Sequence, residues 1–446
     1  MRVRFSCLVF ATALVMSFTS GADAQSLPER NQLANALRRA AQDNDNPKML
    51  QLQRLIVESD EIRYGQNHPK FAEQLVRLGS LLRIADNYSE AETRFKRAIE
   101  IYERNRPPDI LDLALAYREI TQLYSQSLGR YADAEQILLR NQAMLEKAFG
   151  PRHQHTGTAL SDLGNLYYDQ KRYADAEPFF ERSLAIKERL FRPNDPDLGT
   201  PFHNMANVYW KLGRLDDAER MFKRSYALRG GVRRVSSDTT DFISTLNEFA
   251  SFYQEQRRYR EAGELLNQSL KVAENWNRPG RPRLIALAYY YIGELYLAAG
   301  RPDLAEQFFV RTKAANDISG PGGFMQANAL YFVGKAQYAS NKLAEAERSY
   351  KQTLADYEKL FGSDHFNVAD VRNDLATLYM KKNRVADALP LVQQSMASTR
   401  VNPAIALPVL SAAARENLLP PRTALDLGLD VVQRSSQNAA SATTAD

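Results

Sequence analysis

Eight times along this chain the same small residue returns in the same company, and that periodicity restricts the fold more than any single motif. An apolar residue is followed three positions on by an apolar–small pair, and an aromatic comes three further on. Twelve residues after the small one stands Ala, and four after that an aromatic or aliphatic residue. LGNLYYDQKRYADAEPFF, MANVYWKLGRLDDAERMF and IGELYLAAGRPDLAEQFF show the pattern. The registering residues are Gly79, Thr121, Gly164, Ala206, Ala250, Gly293, Gly334 and Ala376, spaced by 42, 43, 42, 44, 43, 41 and 42. The second copy, ITQLYSQSLGRYADAEQIL, has one extra residue before its turn.

Each copy predicts one helical hairpin. Leu160, Leu163, Gly164 and Tyr167 recur at helical spacing in a first helix. A polar turn follows, as at Lys171-Arg172 or Gly213-Arg214. Second helices open on an acid, Asp175 or Asp217, where the helix dipole favours negative charge. Pro178, Pro302 and Pro390 are expected in the first turns of second helices, where a missing N–H costs little. Small residues at the crossing points let helix axes approach to ~8–10 Å. No hairpin can bury its apolar face alone, so the copies must stack.

This pattern resembles the tetratricopeptide repeat, and its long period resembles the kinesin-light-chain variety. Tyr64-Gly65-x-x-His68-Pro69, Phe149-Gly150-x-x-His153 and Phe361-Gly362-x-x-His365 between copies carry the likeness. Pro follows His only at His68, and the loops at 230–240 and 278–283 lack the motif. The resemblance covers about 64–400 and implies an all-α, right-handed solenoid of about eight helical hairpins. Residues 25–70 are expected as a degenerate N-terminal hairpin or cap, 71–400 as the repeats, and 401–434 as a C-terminal helical cap. Leu425, Leu429 and Val432 give that cap an apolar stripe to cover the last repeat, and 435–446 is expected to be a disordered tail.

Residues 1–24 carry an address. Arg2 and Arg4 precede an apolar run from Phe5 to Phe18, and Ala22-Asp23-Ala24 offers a small-x-small cleavage site. The expectation is a signal peptide, a mature start at Gln25, a periplasmic or secreted protein, and no membrane span after cleavage. Elsewhere a mean hydropathy of −0.46 excludes a multi-span membrane protein. The single cysteine, Cys7, leaves with the leader, so the mature chain can form neither a disulfide nor a cysteine zinc site. Net charge falls from +5 to +4 on removal of two Arg and one Asp, and acids interleave with bases throughout. That balance reads as solvated helix faces and points away from nucleic acid.

Chemistry is scarce. His68, His153 and His365 occupy equivalent loops two and five repeats apart, too distant to share a metal, and are expected to cap helices. His153-x-His155 offers only two ligands. No catalytic triad, phosphate loop or dinucleotide fingerprint is present, and Gly320-Pro321-Gly322-Gly323 reads as a long turn. No cofactor or metal is expected.

The first helices line the inner face of such stacks. Positions not used for packing give Ser161, Asn165 and Tyr168, then His203, Asn204, Asn207 and Trp210, then Asn247, Ser251 and Gln254. Further copies give Tyr290, Glu294, Tyr331, Lys335 and Tyr338, then Asn373 and Thr377. Asn costs ~0.5 kcal/mol of helix propensity, and its amide suits the backbone of an extended peptide. In the resembled family, Asn at such positions hold peptide backbone. Tyr and Trp add contact area at low entropy cost. The candidate groove is therefore Asn165, Tyr168, His203, Asn204, Asn207, Trp210, Asn247, Tyr290 and Tyr331. Arg229, Arg233 and Arg234, with Arg278, Arg281 and Arg283, form a second candidate, an edge for an acidic partner. The function expected is a non-catalytic scaffold for a protein or peptide partner. The alternatives are an accessory subunit of an exported enzyme complex, or an enzyme with an unrecognised site.

Overall fold

The computed structural model describes residues 27–42, 45–105, 108–230, 237–277, 280–319, 323–396 and 402–443. The expected leader at 1–24 lies outside the described residues. Twenty α-helices and no strand occur among the described residues. The chain divides into two compact units, Met1–Asp238 and Thr239–Asp446. In the first, α1 (Leu27–Gln42) pairs with α2 (Asn46–Tyr64), α3 (Pro69–Ile84) with α4 (Tyr88–Arg104), and α5 (Ile110–Gln122) with α6 (Tyr131–Phe149). There α7 (Gln154–Asp169) pairs with α8 (Tyr173–Leu190), and α9 (Gly199–Lys211) with α10 (Leu215–Gly230). In the second, α11 (Ser237–Glu255) pairs with α12 (Tyr259–Glu274), α13 (Arg281–Ala298) with α14 (Pro302–Ser319), and α15 (Phe324–Ala339) with α16 (Leu343–Phe361). Its last hairpins are α17 (Phe366–Lys381) with α18 (Val385–Met396), and α19 (Pro403–Arg415) with α20 (Pro421–Thr443). Odd-numbered helices are the first helices of hairpins. The registered copies are α3/α4 to α17/α18, and a further hairpin flanks them at each end.

Each registered hairpin turns on one left-handed residue: Asp86, Gly129, Lys171, Gly213, Arg257, Gly300, Asn341 or Asn383, with φ between +55° and +76°. Asn417 does the same for α19/α20 at φ +58°. Only three of the nine are Gly; the conformation costs other residues roughly 1–2 kcal/mol, least for Asn and Asp. The extra residue of the second copy is absorbed as a π-turn over Leu123–Ser127, with the Leu128 N–H donating to the Leu123 carbonyl at 3.1 Å.

The crossing residues explain the period. A Cβ on Gly79, Gly164, Gly293 or Gly334 would lie 2.6–2.8 Å from the ring of Phe95, Phe180, Phe309 or Tyr350. Where the crossing residue is larger, the equivalent partner is usually smaller: Thr121 with Leu138, Ala250 with Leu266, Ala376 with Val392. The following Ala residues, such as Ala91, Ala176, Ala305 and Ala346, are wholly buried. One core runs through the first unit from Val57 to Val208, and another through the second from Tyr290 to Val431.

The histidine loops are caps, as their positions suggest. Nδ1 of His68, His153 and His365 accepts from the N–H of Lys70, His155 and Asn367 at 3.1–3.2 Å. Each ring stacks on the preceding aromatic, Tyr64, Phe149 or Phe361, with centroids 4.3–5.1 Å apart. The intervening Gly65, Gly150 and Gly362 have φ of +86°, +95° and +82°, which lets the chain fold back.

Three expectations need correction. Pro302 does open α14, but Pro178 and Pro390 stand inside α8 and α18, in the second turn, and each forgoes a helical hydrogen bond. Leu425, Leu429 and Val432 are 63%, 60% and 47% exposed, whereas Ala424 and Val431 of α20 are buried. The stripe therefore faces solvent, and the helix packs through its smaller side. The expected disordered tail is also too long, since α20 continues through residue 443.

Candidate interaction face of the first helices

Counted from the crossing residue, three positions recur where one first helix meets the next: three before, two before and one after. The position three before touches the position two before on the following first helix. Arg118 Nε lies 2.8 Å from Asp162 Oδ2, and Asn204 Nδ2 donates to Ser161 Oγ at 3.3 Å. Tyr290 meets Phe332 edge-on at 4.9 Å between centroids, and the Tyr331 hydroxyl donates to Asp374 Oδ2 at 2.7 Å. From one after, Ser80 Oγ donates to Glu119 Oε2 at 2.6 Å. A side-chain ladder thus ties the first helices together within each unit.

The nine groove candidates divide on this ladder. Asn165 is exposed, and His203, Asn204 and Trp210 are half-buried. Tyr168, Asn207, Asn247, Tyr290 and Tyr331 are only 1–8% exposed, so the expectation of open groove residues does not describe them. The three Tyr side chains point toward a neighbouring helix. Tyr168 packs edge-on against Tyr173, the Asn207 amide lies 3.1 Å from His203 Nε2, and Tyr290 and Tyr331 join the ladder. Trp210 also leans against Phe222, with Lys211 Nζ 3.6 Å from its ring centroid. The open part of the face in the first unit is therefore Asn165, Asn204, His203 and Trp210.

Charge on this face is partly desolvated. Burial pushes the Asp162 carboxyl up, against the pull of Arg118 and Lys187. Burial also pushes the Lys187 ammonium down. In the second unit burial raises the Glu294 carboxyl, opposed by a hydrogen bond from the Tyr290 hydroxyl and by the charge of Lys335. Among the described residues, no group of three or more His, Cys, Asp and Glu side chains is placed to hold a metal.

The arginine edge comes out differently from its expectation. Arg229 belongs to the last turn of α10, where its guanidinium donates to Thr200 Oγ1 at 2.5 Å and its stem lies against Gly199. That arginine serves its own hairpin. Arg233, Arg234 and Arg278 lie outside the described residues; Arg281 is exposed and Arg283 half-buried in the first turn of α13.

A second recurring cluster escaped the sequence reading. After five of the first helices an Arg lies over a Tyr ring: Arg130 on Tyr124, Arg172 on Tyr167, Arg214 on Tyr209, Arg258 on Tyr253 and Arg384 on Tyr379, at 4.0–4.5 Å. Each Arg also bonds an acid three residues on, such as Asp133 or Asp175 at 2.6 Å. A Glu of the preceding second helix completes the clamp. Glu92 takes the Tyr124 hydroxyl at 2.8 Å and Arg130 at 3.0 Å, and Glu347 takes Lys382 at 2.6 Å and Arg384 at 3.2 Å. Burial would raise these carboxyls, but their bonds to Lys, Tyr and Arg hold both at about 2. The signal was present: Ala-Glu recurs at Ala91-Glu92, Ala134-Glu135, Ala176-Glu177, Ala218-Glu219, Ala305-Glu306 and Ala346-Glu347.

The tetratricopeptide-repeat family model matches the sequence six times, at 70–147, 112–189, 155–230, 241–316, 284–359 and 325–400. The apo quorum sensor NprR from B. thuringiensis superposes with a TM-score of 0.53 at 12% identity, over 82% of this chain and 97% of its own. A signal-transduction ATPase with a tetratricopeptide-repeat sensor, from Pyrococcus horikoshii, gives 0.52 at 12% identity, over 96% of this chain and 67% of its own. The repeats of a putative kinesin light chain from Podosopora anserina give 0.39 at 20% identity, over 46% of this chain and 96% of theirs. These likenesses concern the fold. No curated protein matches the sequence. Among the described residues no helix is long and apolar enough to cross a membrane.

Proposed function

Because the chain belongs to the tetratricopeptide repeat family, matched six times between residues 70 and 400, we propose that it is a non-catalytic scaffold that holds an extended segment of a protein partner along its first helices. The observation that carries this is the open polar group of the first unit: the exposed amide of Asn165 with half-buried Asn204, His203 and Trp210 on adjacent first helices. An amide offers a donor and an acceptor together, which matches one peptide group of a passing strand. First helices of successive hairpins meet through their side chains, as Asn204 meets Ser161 at 3.3 Å, so they lie about one helix spacing apart, ~8–10 Å. That is about three residues of extended chain at ~3.3 Å each. A bound segment is then extended and spans more than one hairpin.

The test is capture of partners on the mature protein, compared with the Asn165→Ala/Asn204→Ala variant. Each lost amide leaves a peptide group of the partner short of a bond, roughly 1–3 kcal/mol if buried. Capture should weaken at least tenfold with unchanged helicity; undiminished capture removes this face from consideration.

We further propose that the chain is exported, on the strength of Arg2, Arg4, the Phe5–Phe18 run and Ala22-Asp23-Ala24. N-terminal sequencing of the natural protein should begin at Gln25 in the periplasmic or secreted fraction. An intact Met1 chain in the cytosol would overturn this.

A further inference from the structure

We infer that the outer stripe of α20 pairs this chain with a second copy of itself, the two last hairpins meeting about a two-fold axis. The repeat register says what that stripe faces. The Ala424 N–H donates to the Pro420 carbonyl at 2.9 Å, as those of Ala346 and Ala388 donate to Lys342 and Arg384 at 3.0 and 3.2 Å. So α20 starts in the register of α16 and α18. In that register the residue after the Ala looks at the following hairpin. Glu92 meets Tyr124, Glu135 meets Tyr167, and Glu347 meets Tyr379 and Arg384. Two turns further along, Leu184 packs with Leu198 and Phe202, at and beyond the entry to the next hairpin.

On α20 these two positions are Leu425 and Val432, with Leu429 between them on the same face. One hairpin earlier the matching residues, Leu389 and Met396, are 8% and 6% exposed, where α19 packs on α18. On α20 all three are exposed, and among the described residues no helix follows to cover them. The stripe is thus a surface of the kind that receives a helix elsewhere in the stack.

A terminal hairpin ordinarily turns a polar face outward. The first helix of the first unit does so: the exposed residues of α1 are Asn31, Gln32, Asn35, Arg39 and Gln42. The last hairpin does the opposite. Leu407 of α19 widens the stripe, its Cδ2 lying 3.4 Å from where a Cβ on Gly428 would stand, and Leu418 in the turn before α20 is exposed as well. Of the seventeen exposed large apolar residues among those described, five fall in this hairpin, and no other helix carries three of them at helical spacing.

The apolar surface in this chain that matches the stripe is therefore the same stripe on another copy. The polar face of α1 disfavours head-to-tail stacking, and like meeting like defines a two-fold axis. Set antiparallel about it, Leu425 of one copy lies against Val432 of the other, and the two Leu429 side chains face each other near the axis. Five apolar side chains are fewer than the roughly 20–30 residues a side of a standard interface, so the pairing depends on concentration.

Sedimentation velocity of the protein over a concentration series tests this. The wild type should move from monomer to dimer as concentration rises. Leu425→Glu/Leu429→Glu should weaken dimerisation at least tenfold with unchanged helicity, because each copy would have to bury unpaired carboxylates. Cross-linking gives a second readout without a disruptive change. In a Cys7→Ser background, Leu429→Cys adds the sole thiol, and oxidation should link two chains through it, whereas Arg39→Cys on α1 should stay unlinked. A monomer at every concentration overturns the pairing and leaves the stripe to a helix of another protein. A dimer that the double Glu variant does not weaken, or an Arg39→Cys link that forms as fast as that of Leu429→Cys, also overturns it, since the copies then meet elsewhere.

Discussion

Asn141 occupies, seven residues after Ala134, a place where the other second helices put Ala98, Ser183, Ser225, Ser269, Thr312, Thr353 and Ser395. The place is buried throughout. A hydroxyl suits it: Ser183 Oγ donates to the Gly157 carbonyl at 2.7 Å and Ser225 Oγ to the Gly199 carbonyl at 2.8 Å. Asn141 is wholly buried, and among the described residues both its amide atoms lack a partner. Leaving them so costs roughly 1–3 kcal/mol. Asn141→Ser should therefore raise stability by about 1 kcal/mol, seen as a higher urea midpoint; a lower midpoint would show that the amide is satisfied in solution. The same residue scale shows why the groove reading was only partly legible. Asn165 and Asn207 share one register, yet the first is exposed and the second is 4% exposed beside His203. Helical spacing says which face a residue occupies. Its burial depends on side chains a full repeat away, such as the Ser161 that meets Asn204, and a spacing rule does not contain them.

The hairpin was legible because its demand is steric and local. Gly164 must admit the Phe180 ring, and an added Cβ would come within 2.8 Å of it. Ala would gain ~1 kcal/mol of helix propensity, but overpacking costs roughly 1–3 kcal/mol. Gly164→Ala should thus be destabilising by about 1 kcal/mol, although Ala is the better helix former. The Thr121 and Leu138 pair at the same crossing supplies the remedy. Phe180→Leu alone should open a void, while Gly164→Ala/Phe180→Leu should be less destabilised than the sum of its parts. A double-mutant cycle in urea measures that coupling, and strict additivity would show that the two residues do not share a crossing point. The clamp of Arg, Tyr and Glu was less legible because it joins neighbouring hairpins. Tyr167 meets Glu135 at 2.8 Å, and only the recurrence of Ala-Glu hints at it.

Across the whole molecule these clamps set the response to acid. Glu92 in the first unit and Glu347 in the second fall from an ordinary 4.5 to about 2, because bonds to Lys, Tyr and Arg outweigh burial. A carboxyl lowered on folding binds its proton less readily in the folded chain. Its contribution is complete above about 4.5 and is lost as pH falls toward 2. Asp112 behaves in the opposite sense. Burial, with Asp109 and Glu73 nearby, raises it from 3.8 to about 6, so its penalty is absent below 3.8 and grows as pH rises through 6. The side chains of Glu92 and Glu347 remain 20% and 12% exposed, so salt should blunt their share. The urea midpoint of the protein should therefore fall between pH 4.5 and 2. Glu347→Gln should lower the midpoint at pH 7 and flatten that fall, whereas Asp112→Asn should raise it at pH 7 and leave it nearly unchanged at pH 3. In a stack whose stability is a sum over neighbouring hairpins, each effect should stay close to its source. Hydrogen exchange of Glu347→Gln at pH 7 should accelerate in α16 to α18 and leave α3 to α6 as protected as before. Acceleration spread evenly over both units would contradict the nearest-neighbour account of this array.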